Sequence, residues 1–326
     1  MKKNKGLIMT GAVTLVLFAA VLVGFLKNDA ALADEHQVFE TESIQDTEYI
    51  EETEEEEVPL SYIEMYGLEE VDKPEKRTEA QVLEKLAELS EKYPLVREVY
   101  ENADAYTKVM LDHLANNPEM AAFALGSLTS DGSADGTFTE AELEEEFPLL
   151  LQFDPRWGYF DYGGKEMGIS GCGPTCLAMT VLALTDCEDM TPAKVAAYSL
   201  EEGYYVKDVG TAWKLMDEFP TLYGLTVTNP GINEELMKAE LDEGKVLICS
   251  MRKGVFTAEG HFIVIYGYDE TGFKVNDPKC VARSRRTWTY AEFGRQIKRI
   301  WAVGEAPEEV PDTEITETTQ ITVTNP

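Results

Sequence analysis

A cysteine between two glycines is the residue of this sequence best suited to covalent chemistry. The stretch reads Gly171-Cys172-Gly173-Pro174-Thr175, and an apolar run follows it to about Leu184. Because proline fits the first turn of a helix, the run predicts a buried helix with Cys172 at or just before its N-terminus. Backbone N–H groups at that end favour a thiolate and lower the pKa of the thiol. Cys172 is therefore a candidate nucleophile, although a buried cysteine also serves as a small apolar core residue.

A histidine and an aspartate are expected beside each other on a β-hairpin. His261 precedes the apolar run Phe262 to Tyr268, and Asp277 follows the run Phe273 to Asn276. Because a short turn at Asp269 to Gly272 joins the two runs, they are predicted to pair as antiparallel strands. The start of the first strand then lies next to the end of the second, which makes His261 and Asp277 neighbours.

These three residues form a set for acyl transfer. The Cys172 thiolate would attack a carbonyl carbon, His261 would take and return the proton, and Asp277 would fix the tautomer and orientation of the imidazole. A developing oxyanion also needs donors. The side-chain amide of Gln152 is the candidate for that role, beside the backbone N–H of Cys172.

The elements that must position this set indicate an α+β fold. A capping-box pattern at Thr78 to Gln81 and helical apolar spacing predict helices that continue to about Leu125. Strands are predicted at Val246 to Met251, in the hairpin that follows and at Ile300 to Val303, with a further short strand at Leu149 to Phe153. Helices first and antiparallel strands afterwards are typical of the α+β class.

From about Leu149 to Val303 the sequence resembles the C-thirty-nine-like cysteine peptidases of the papain clan, relatives of the domains that remove double-glycine leader peptides from bacteriocins. The resemblance implies a papain-like fold, N-terminal helices packed on an antiparallel sheet, with Cys172 as nucleophile, His261 as general base, Asp277 as orienting carboxylate and Gln152 in the oxyanion hole. Four motifs in family order carry it: Gln152-Phe153-Asp154-Pro155-Arg156-Trp157, Gly171-Cys172-Gly173-Pro174-Thr175, Gly260-His261-Phe262 and Asn276-Asp277-Pro278.

The N-terminus predicts export from a bacterial cell. Lys2, Lys3 and Lys5 precede an uncharged apolar run from Gly6 to Leu26, which is either a signal peptide cleaved near Ala31-Leu32-Ala33 or a transmembrane anchor. We expect the remainder on the extracellular face of the membrane, tethered or secreted, with a slight preference for tethering. The predicted domains are a signal peptide or anchor at 1–33, an acidic disordered stalk at 34–58, a helical accessory region at 59–146, the peptidase-like domain at 147–304 and an acidic, Thr-rich disordered tail at 305–326.

The charge balance excludes one class of partner. The 326-residue chain carries a formal net charge of −33, with 28 Lys and Arg against 61 Asp and Glu. Nucleic-acid binding needs clustered cations, so we expect no nucleic-acid partner. Much of the negative charge lies in the stretch 34–57, which contains no Lys or Arg. The expected partners are a peptide or cell-wall peptide substrate and the membrane, through the N-terminal apolar segment.

The other cysteines leave several interpretations open. The chain has five cysteines, so at least one is unpaired if the protein is exported. Cys176 follows Cys172 by one helical turn, where it is a core residue, a rival nucleophile or a disulfide partner; core packing is favoured because the surrounding run is apolar. A zinc site of Cys172, Cys176 and His261 does not match the usual ligand spacing. We expect no metal and no organic cofactor.

Two further groups of polar residues are ambiguous. His113 lies on an amphipathic stretch with no cysteine or carboxylate pattern near it in sequence, so it is interpreted as a surface or packed residue. A basic patch of Lys279, Arg283, Arg285 and Arg286 follows Asp277. It is either a solvated loop or a surface that attracts acidic groups of a substrate.

The sequence thus predicts an exported thiol peptidase that hydrolyses amide bonds through a thioester. The alternative is a non-catalytic module on the same fold that binds peptide or cell-wall material, because a fold does not fix a function. A leader peptidase acting for an export system is a third possibility, but no P-loop for a fused ATPase is present. The helical region could be a prodomain, a lid or a packing support.

Overall fold

Helices make up the first part of the fold and antiparallel strands most of the second. The computed structural model describes residues 60–207 and 209–306. The α-helices are α1 (Tyr62–Tyr66), α2 (Glu79–Lys92), α3 (Pro94–Glu101), α4 (Lys108–Asn116), α5 (Ala121–Ser127), α6 (Glu140–Glu144), α7 (Met167–Ser170), α8 (Cys172–Leu184), α9 (Pro192–Glu201), α10 (Trp213–Glu218), α11 (Glu234–Asp242), α12 (Val281–Ser284) and α13 (Tyr290–Phe293). The strands are β1 (Tyr205–Val206), β2 (Gly210–Thr211), β3 (Leu225–Thr228), β4 (Val246–Arg252), β5 (Gly260–Asp269), β6 (Gly272–Asn276), β7 (Thr287–Trp288) and β8 (Ile297–Glu305). This order confirms the α+β class.

The predicted helices of the N-terminal region form a small bundle. Thr78 caps α2 through a capping box, in which its hydroxyl accepts from the Gln81 backbone N–H and the Gln81 side chain accepts from the Thr78 backbone N–H. Helices α2, α3, α4 and α5 then pack on one another through side chains that repeat at helical spacing. The fully buried members include Leu86, Val96, Leu114 and Phe123.

The sheet has six antiparallel strands in the order β3-β8-β4-β5-β6-β7. The apolar runs predicted as strands correspond to β4, β5, β6 and part of β8. Strands β5 and β6 form the predicted hairpin, with Val264 opposite Asn276. This register brings the N-terminal end of β5 beside the residues that follow β6, as the sequence predicts.

Helix α8 lies against one face of this sheet. It is apolar on nearly all sides because it is enclosed by α9 and by strands β5, β4 and β8. Its first residue is Cys172 and its N-cap is Gly171, so the helix begins two residues before Pro174. The opposite face of the sheet is covered by Met237 of α11 and Phe293 of α13.

The prediction of a strand at Leu149 to Phe153 is wrong. The segment is irregular and turns at residues 152 and 153. Leu150 packs into the core beneath α8, whereas Leu151 and Phe153 pack into the core of the N-terminal helices. A continuous apolar run does not distinguish a buried strand from a segment that divides its side chains between two cores.

The core of the N-terminal helices includes side chains from the sheet region. Leu151, Phe153 and Val281 lie in the same apolar cluster as the side chains of α2 to α5. The boundary predicted at residue 147 stays a prediction, but apolar packing crosses it.

A buried carboxylate strengthens this connection. Glu119 is 2% exposed, and its carboxylate accepts the backbone N–H groups of Val281 and Ala282 at 2.8 and 3.0 Å. It also accepts from the backbone N–H of Leu68 at 2.9 Å and from the Asn117 amide at 3.2 Å. Glu119 thus connects the start of α12 to the N-terminal helices through hydrogen bonds.

The predicted membrane attachment needs correction. Among residues 60–207 and 209–306, no helix combines the length and the apolar character that a bilayer crossing requires. The run from Gly6 to Leu26, on which the prediction of a transmembrane partner rested, lies outside the described residues, as do the predicted stalk and nearly all of the predicted tail.

We predict that Glu119→Ala lowers the free energy of unfolding by about 2–4 kcal/mol, because it leaves several buried N–H donors without an acceptor. Chemical denaturation followed by circular dichroism measures the change. Glu91→Ala is the matched control, because Glu91 is exposed near the end of α2 and its loss should change stability by less than about 0.5 kcal/mol. Equal stability of the two variants would contradict the role given to Glu119.

Candidate active site

The first turn of α8 places the Cys172 side chain at the edge of a cleft. Cys172 is half-buried, unlike the fully buried residues that follow it along the helix. The preceding glycine permits a close approach, because a Cβ atom at Gly171 would lie 2.6 Å from the carbonyl oxygen of Met167. The chain can therefore turn sharply from α7 into α8 and present the thiol at a helix N-terminus.

The hairpin brings His261 and Asp277 together as predicted. His261 Nε2 lies 2.6 Å from Asp277 Oδ1, and both side chains are buried. Cys172 lies close enough to His261 for the imidazole, together with the backbone N–H of Phe262, to stabilise its thiolate. The structure thus brings three of the four predicted residues together.

The charges of Cys172, His261 and Asp277 together favour a thiolate–imidazolium pair. Burial alone would raise the pKa of the Cys172 thiol, but the hydrogen bond and charge of His261 outweigh it and hold that pKa below its ordinary value. Burial likewise opposes the charge on His261, but Asp277 and Cys172 together raise the pKa of the imidazole well above its usual range. The interaction between Cys172 and His261 contributes to both shifts, and Asp277 contributes most to the raised pKa of His261.

Asp277 is held ionised by several donors. Burial would raise the pKa of this carboxyl, whereas the charges of His261 and Arg283 lower it below its ordinary value. The backbone N–H of Lys279 donates to Oδ1 at 2.9 Å, and Arg283 Nη1 approaches Oδ2 at 3.4 Å. The backbone N–H of Asp277 donates to the Ser284 hydroxyl at 2.9 Å, which ties the aspartate to α12.

Gln152 lies in the same cleft, with one amide hydrogen already used. Its Nε2 donates to the Gly168 carbonyl at 2.7 Å, and its backbone N–H donates to the Pro278 carbonyl at 2.7 Å. The Oε1 atom is buried and has no hydrogen-bond partner in the part of the chain that the structure describes. The contact with Gly168 fixes the amide so that nitrogen, not oxygen, faces that carbonyl. The second hydrogen of Nε2 remains for another acceptor.

Cys176 belongs to the core. Its side chain is fully buried, and burial raises the pKa of its thiol well above the ordinary value. All five cysteines are free thiols, so no disulfide joins Cys176 to Cys172. In residues 60–207 and 209–306, no group of three or more His, Cys, Asp or Glu side chains is arranged to hold a metal ion.

The cleft beside Cys172 has a volume of about 970 Å³ and two walls of different origin. One wall comes from the sheet region and contains Cys172, His261 and Gln152. The other comes from the N-terminal helices and includes Val82, Tyr106, Asp112, His113 and Asn116.

His113 is one residue whose position the sequence analysis missed. It lines the cleft, and its Nδ1 atom is inaccessible to solvent and has no hydrogen-bond partner among the described residues. Burial lowers the pKa of His113 well below its usual value, and the charges of Lys279 and His261 act in the same direction. Its neighbours come from elements far away in sequence, so no local pattern could have revealed them.

The four residues of the predicted basic patch have different surroundings in the structure. Arg283 is buried against Asp277, Arg285 pairs with Glu69 at 3.3 Å, and Arg286 pairs with Glu292 at 2.5 Å. Only Lys279, of these four residues, has no ion pair or side-chain hydrogen bond within the described chain, and it lines the cleft. The patch is therefore neither a uniformly solvated loop nor a uniform basic surface.

Comparisons with known proteins assign the sheet region to a family. A protein-family model, the Peptidase_C39 like family, matches residues 144–303, which contain Gln152, Cys172, His261 and Asp277. Searches of curated proteins and of solved structures found no match. The match supports the papain-like α+β fold and a cysteine peptidase-like domain, as the sequence motifs indicate. Over residues 144–303, this chain belongs to the Peptidase_C39 like family.

Proposed function

We propose that this protein is an exported cysteine peptidase that hydrolyses amide bonds of peptide or cell-wall peptide substrates. The observation that carries the proposal is the cluster of Cys172, His261 and Asp277 at the edge of a large cleft, in which His261 contacts Asp277 at 2.6 Å and lowers the pKa of the Cys172 thiol. Peptidase families on this fold include non-catalytic members, so family membership alone does not establish turnover. The shifted pKa of the thiol and the open cleft together favour an enzyme over a binding module.

In the proposed mechanism, the Cys172 thiolate attacks the carbonyl carbon of the scissile amide. The carbonyl oxygen becomes an oxyanion, which accepts hydrogen bonds from the Cys172 backbone N–H and from the second N–H of Gln152 Nε2. The His261 imidazolium then donates its proton to the leaving amine as the C–N bond breaks, and a thioester remains on Cys172.

Hydrolysis of the thioester uses the same groups in reverse roles. His261, now neutral, removes a proton from a water molecule that attacks the thioester carbonyl, and a second oxyanion forms in the same place. Its collapse releases the carboxylic acid and restores the thiolate–imidazolium pair. Asp277 keeps the same tautomer in both half-reactions because its carboxylate accepts from Nε2 throughout.

Export is supported by the composition of the N-terminal segment rather than by the site. Three lysines precede an uncharged apolar run that resembles a secretory signal. An exported enzyme would meet extracellular peptides or peptide cross-bridges of the cell wall. Fractionation of cells expressing the full chain, with immunodetection of the culture medium, tests this part of the proposal; retention of all the protein in the cytosol would oppose it.

We predict that iodoacetamide labels Cys172 at a pH below that at which an ordinary thiol reacts, because the thiolate is the nucleophile and His261 lowers the thiol pKa. His261→Ala should reduce the labelling rate at neutral pH by about tenfold for each unit by which the pKa rises. Peptide mapping by mass spectrometry identifies the labelled residue. Cys187→Ser is the matched control, because Cys187 is also half-buried but lies outside the cleft lining. Slow labelling at all five cysteines, unaffected by His261→Ala, would instead favour the binding module.

We predict that Cys172→Ala abolishes peptide hydrolysis and that Gln152→Ala lowers kcat by roughly 10²- to 10³-fold, the usual loss for one oxyanion donor. Asp277→Asn should lower kcat by up to about 10⁴-fold, because an amide can stabilise the wrong tautomer. Incubation with a peptide library and analysis by mass spectrometry identifies a cleaved peptide. Hydrolysis of that peptide then gives kcat for each variant. Circular dichroism of each variant shows whether it is folded. Undiminished turnover by folded Cys172→Ala would exclude the mechanism.

A further inference from the structure

The cleft is positively charged on a strongly negative protein. Of the described residues that line it, seven are Lys or Arg and four are Asp or Glu. The whole chain has the opposite balance, with 28 Lys and Arg against 61 Asp and Glu. A cation excess confined to one concave surface attracts anionic groups to that surface.

Most of the cations in the cleft lining already have partners. Lys76 pairs with Glu259 at 2.9 Å, and Lys108 pairs with Glu79 at 2.5 Å. Arg77 donates to the Asn116 amide oxygen, and Arg283 contacts Asp277. Within the described chain, the lining cations whose side chains form no ion pair and no hydrogen bond are Lys165, Lys279 and Lys298.

Lys279 differs from the other two because it is half-buried, whereas Lys165 and Lys298 are exposed. Its backbone is fixed on both sides. The N–H donates to Asp277 at 2.9 Å, and the carbonyl accepts from the Asn117 amide at 2.5 Å. A partly buried ammonium without an anionic partner is unfavourable, because desolvation is not offset by a charge pair.

Five charged or titratable groups lie near this ammonium, and none of them forms an ion pair with it. Arg283 and Asp277 already interact with each other, and Cys172 lies in the wall of the cleft formed by the sheet region. Asp112 of α4, in the wall formed by the N-terminal helices, also acts on its charge but does not lie within 4.0 Å of it. The fifth group, His113 on the same helix, is kept neutral by its lowered pKa. Burial lowers the pKa of Lys279 to about 8, so it is largely charged at neutral pH.

Resting on the peptidase function proposed above, we propose that Lys279 binds a carboxylate of the substrate beside the scissile carbonyl. The carboxylate is either the C-terminus of a peptide or the side chain of an Asp or Glu next to the cleaved bond. A lysine acts here as a point charge, so it selects for negative charge without demanding one fixed geometry. The enzyme would then prefer acidic peptides or peptides cleaved close to their C-terminus.

A second role for Lys279 predicts a different result. Its charge also lowers the pKa of the Cys172 thiol, and stabilising the thiolate could be its whole contribution. In that case its loss would slow every reaction of Cys172 equally, whatever the charge of the reagent. A pair of alkylating reagents that differ in charge separates the two roles. Both react with the same thiolate, so the fraction of Cys172 that is thiolate cancels from the ratio of the two rates.

The experiment compares the alkylation rates of Cys172 in the full chain by iodoacetate, which is anionic, and by iodoacetamide, which is neutral. We expect Lys279→Met to lower the iodoacetate-to-iodoacetamide rate ratio by about fivefold or more at low salt. In the unsubstituted protein the ratio should fall as pH rises through about 8, the pKa of Lys279, and in Lys279→Met that step should be absent. Lys274→Met is the matched control, because Lys274 is exposed on β6 outside the cleft lining.

The outcomes separate this inference from the proposed function. An unchanged ratio in Lys279→Met, with Cys172 still reactive below the pH of an ordinary thiol, overturns the carboxylate subsite and leaves the peptidase proposal standing. Absence of a low-pKa thiol at Cys172 in the unsubstituted protein overturns the peptidase proposal and the subsite with it.

The source of the carboxylate is decided with four matched peptides. They combine a free or amidated C-terminus with Asp or Asn beside the cleaved bond. Lys279 should favour one of the two carboxylates by lowering KM, and Lys279→Met should abolish that preference while Lys274→Met retains it. Equal kcat/KM for all four peptides in the unsubstituted protein would overturn the inference.

Discussion

The hydrogen bond between His261 and Asp277 is the interaction on which the candidate site depends. It spans 2.6 Å between two buried side chains, and it selects the imidazole nitrogen that faces Cys172. A buried aspartate keeps its charge only where donors and cations offset desolvation. Here the imidazole, the Lys279 backbone N–H and Arg283 supply them. The loop after β6 must therefore hold its shape for the thiol to be activated at all.

That requirement gives the N-terminal helices a structural role. Glu119 accepts the first N–H groups of α12, and Asn117 donates to the carbonyl of Lys279. Arg283 also donates to the backbone of Asp72. The same region supplies one wall of the cleft. Of the three roles that the sequence left open, a packing support explains these contacts best. Removal of a prodomain would expose Leu151, Phe153 and Val281, which pack into the core of the helices, and would release the loop that carries Asp277.

The parts of the site that the sequence predicted are those governed by local rules. Proline and the glycines located the start of α8, and the short turn of the hairpin paired His261 with Asp277, because both depend on neighbours in the chain. Gln152 was found by its motif, yet the strand assigned to it was wrong because its flanking side chains enter two different cores. His113, Glu119 and the selective exposure of Lys279 depend on contacts across more than a hundred residues, for which the sequence carries no periodic signal.

The overall charge of the chain and the charge of the cleft act over different distances. At physiological ionic strength the Debye length is about 8 Å, so exposed acidic residues farther than this from Cys172 are largely screened there. Lys279 is partly shielded from solvent, and its interaction with an anion in the cleft is screened much less. A net charge of −33 would slow the approach of an acidic peptide without preventing its recognition. Selectivity for a carboxylate would therefore depend on local contacts within the cleft, and raising the salt concentration should speed encounter more than it weakens the contact with Lys279.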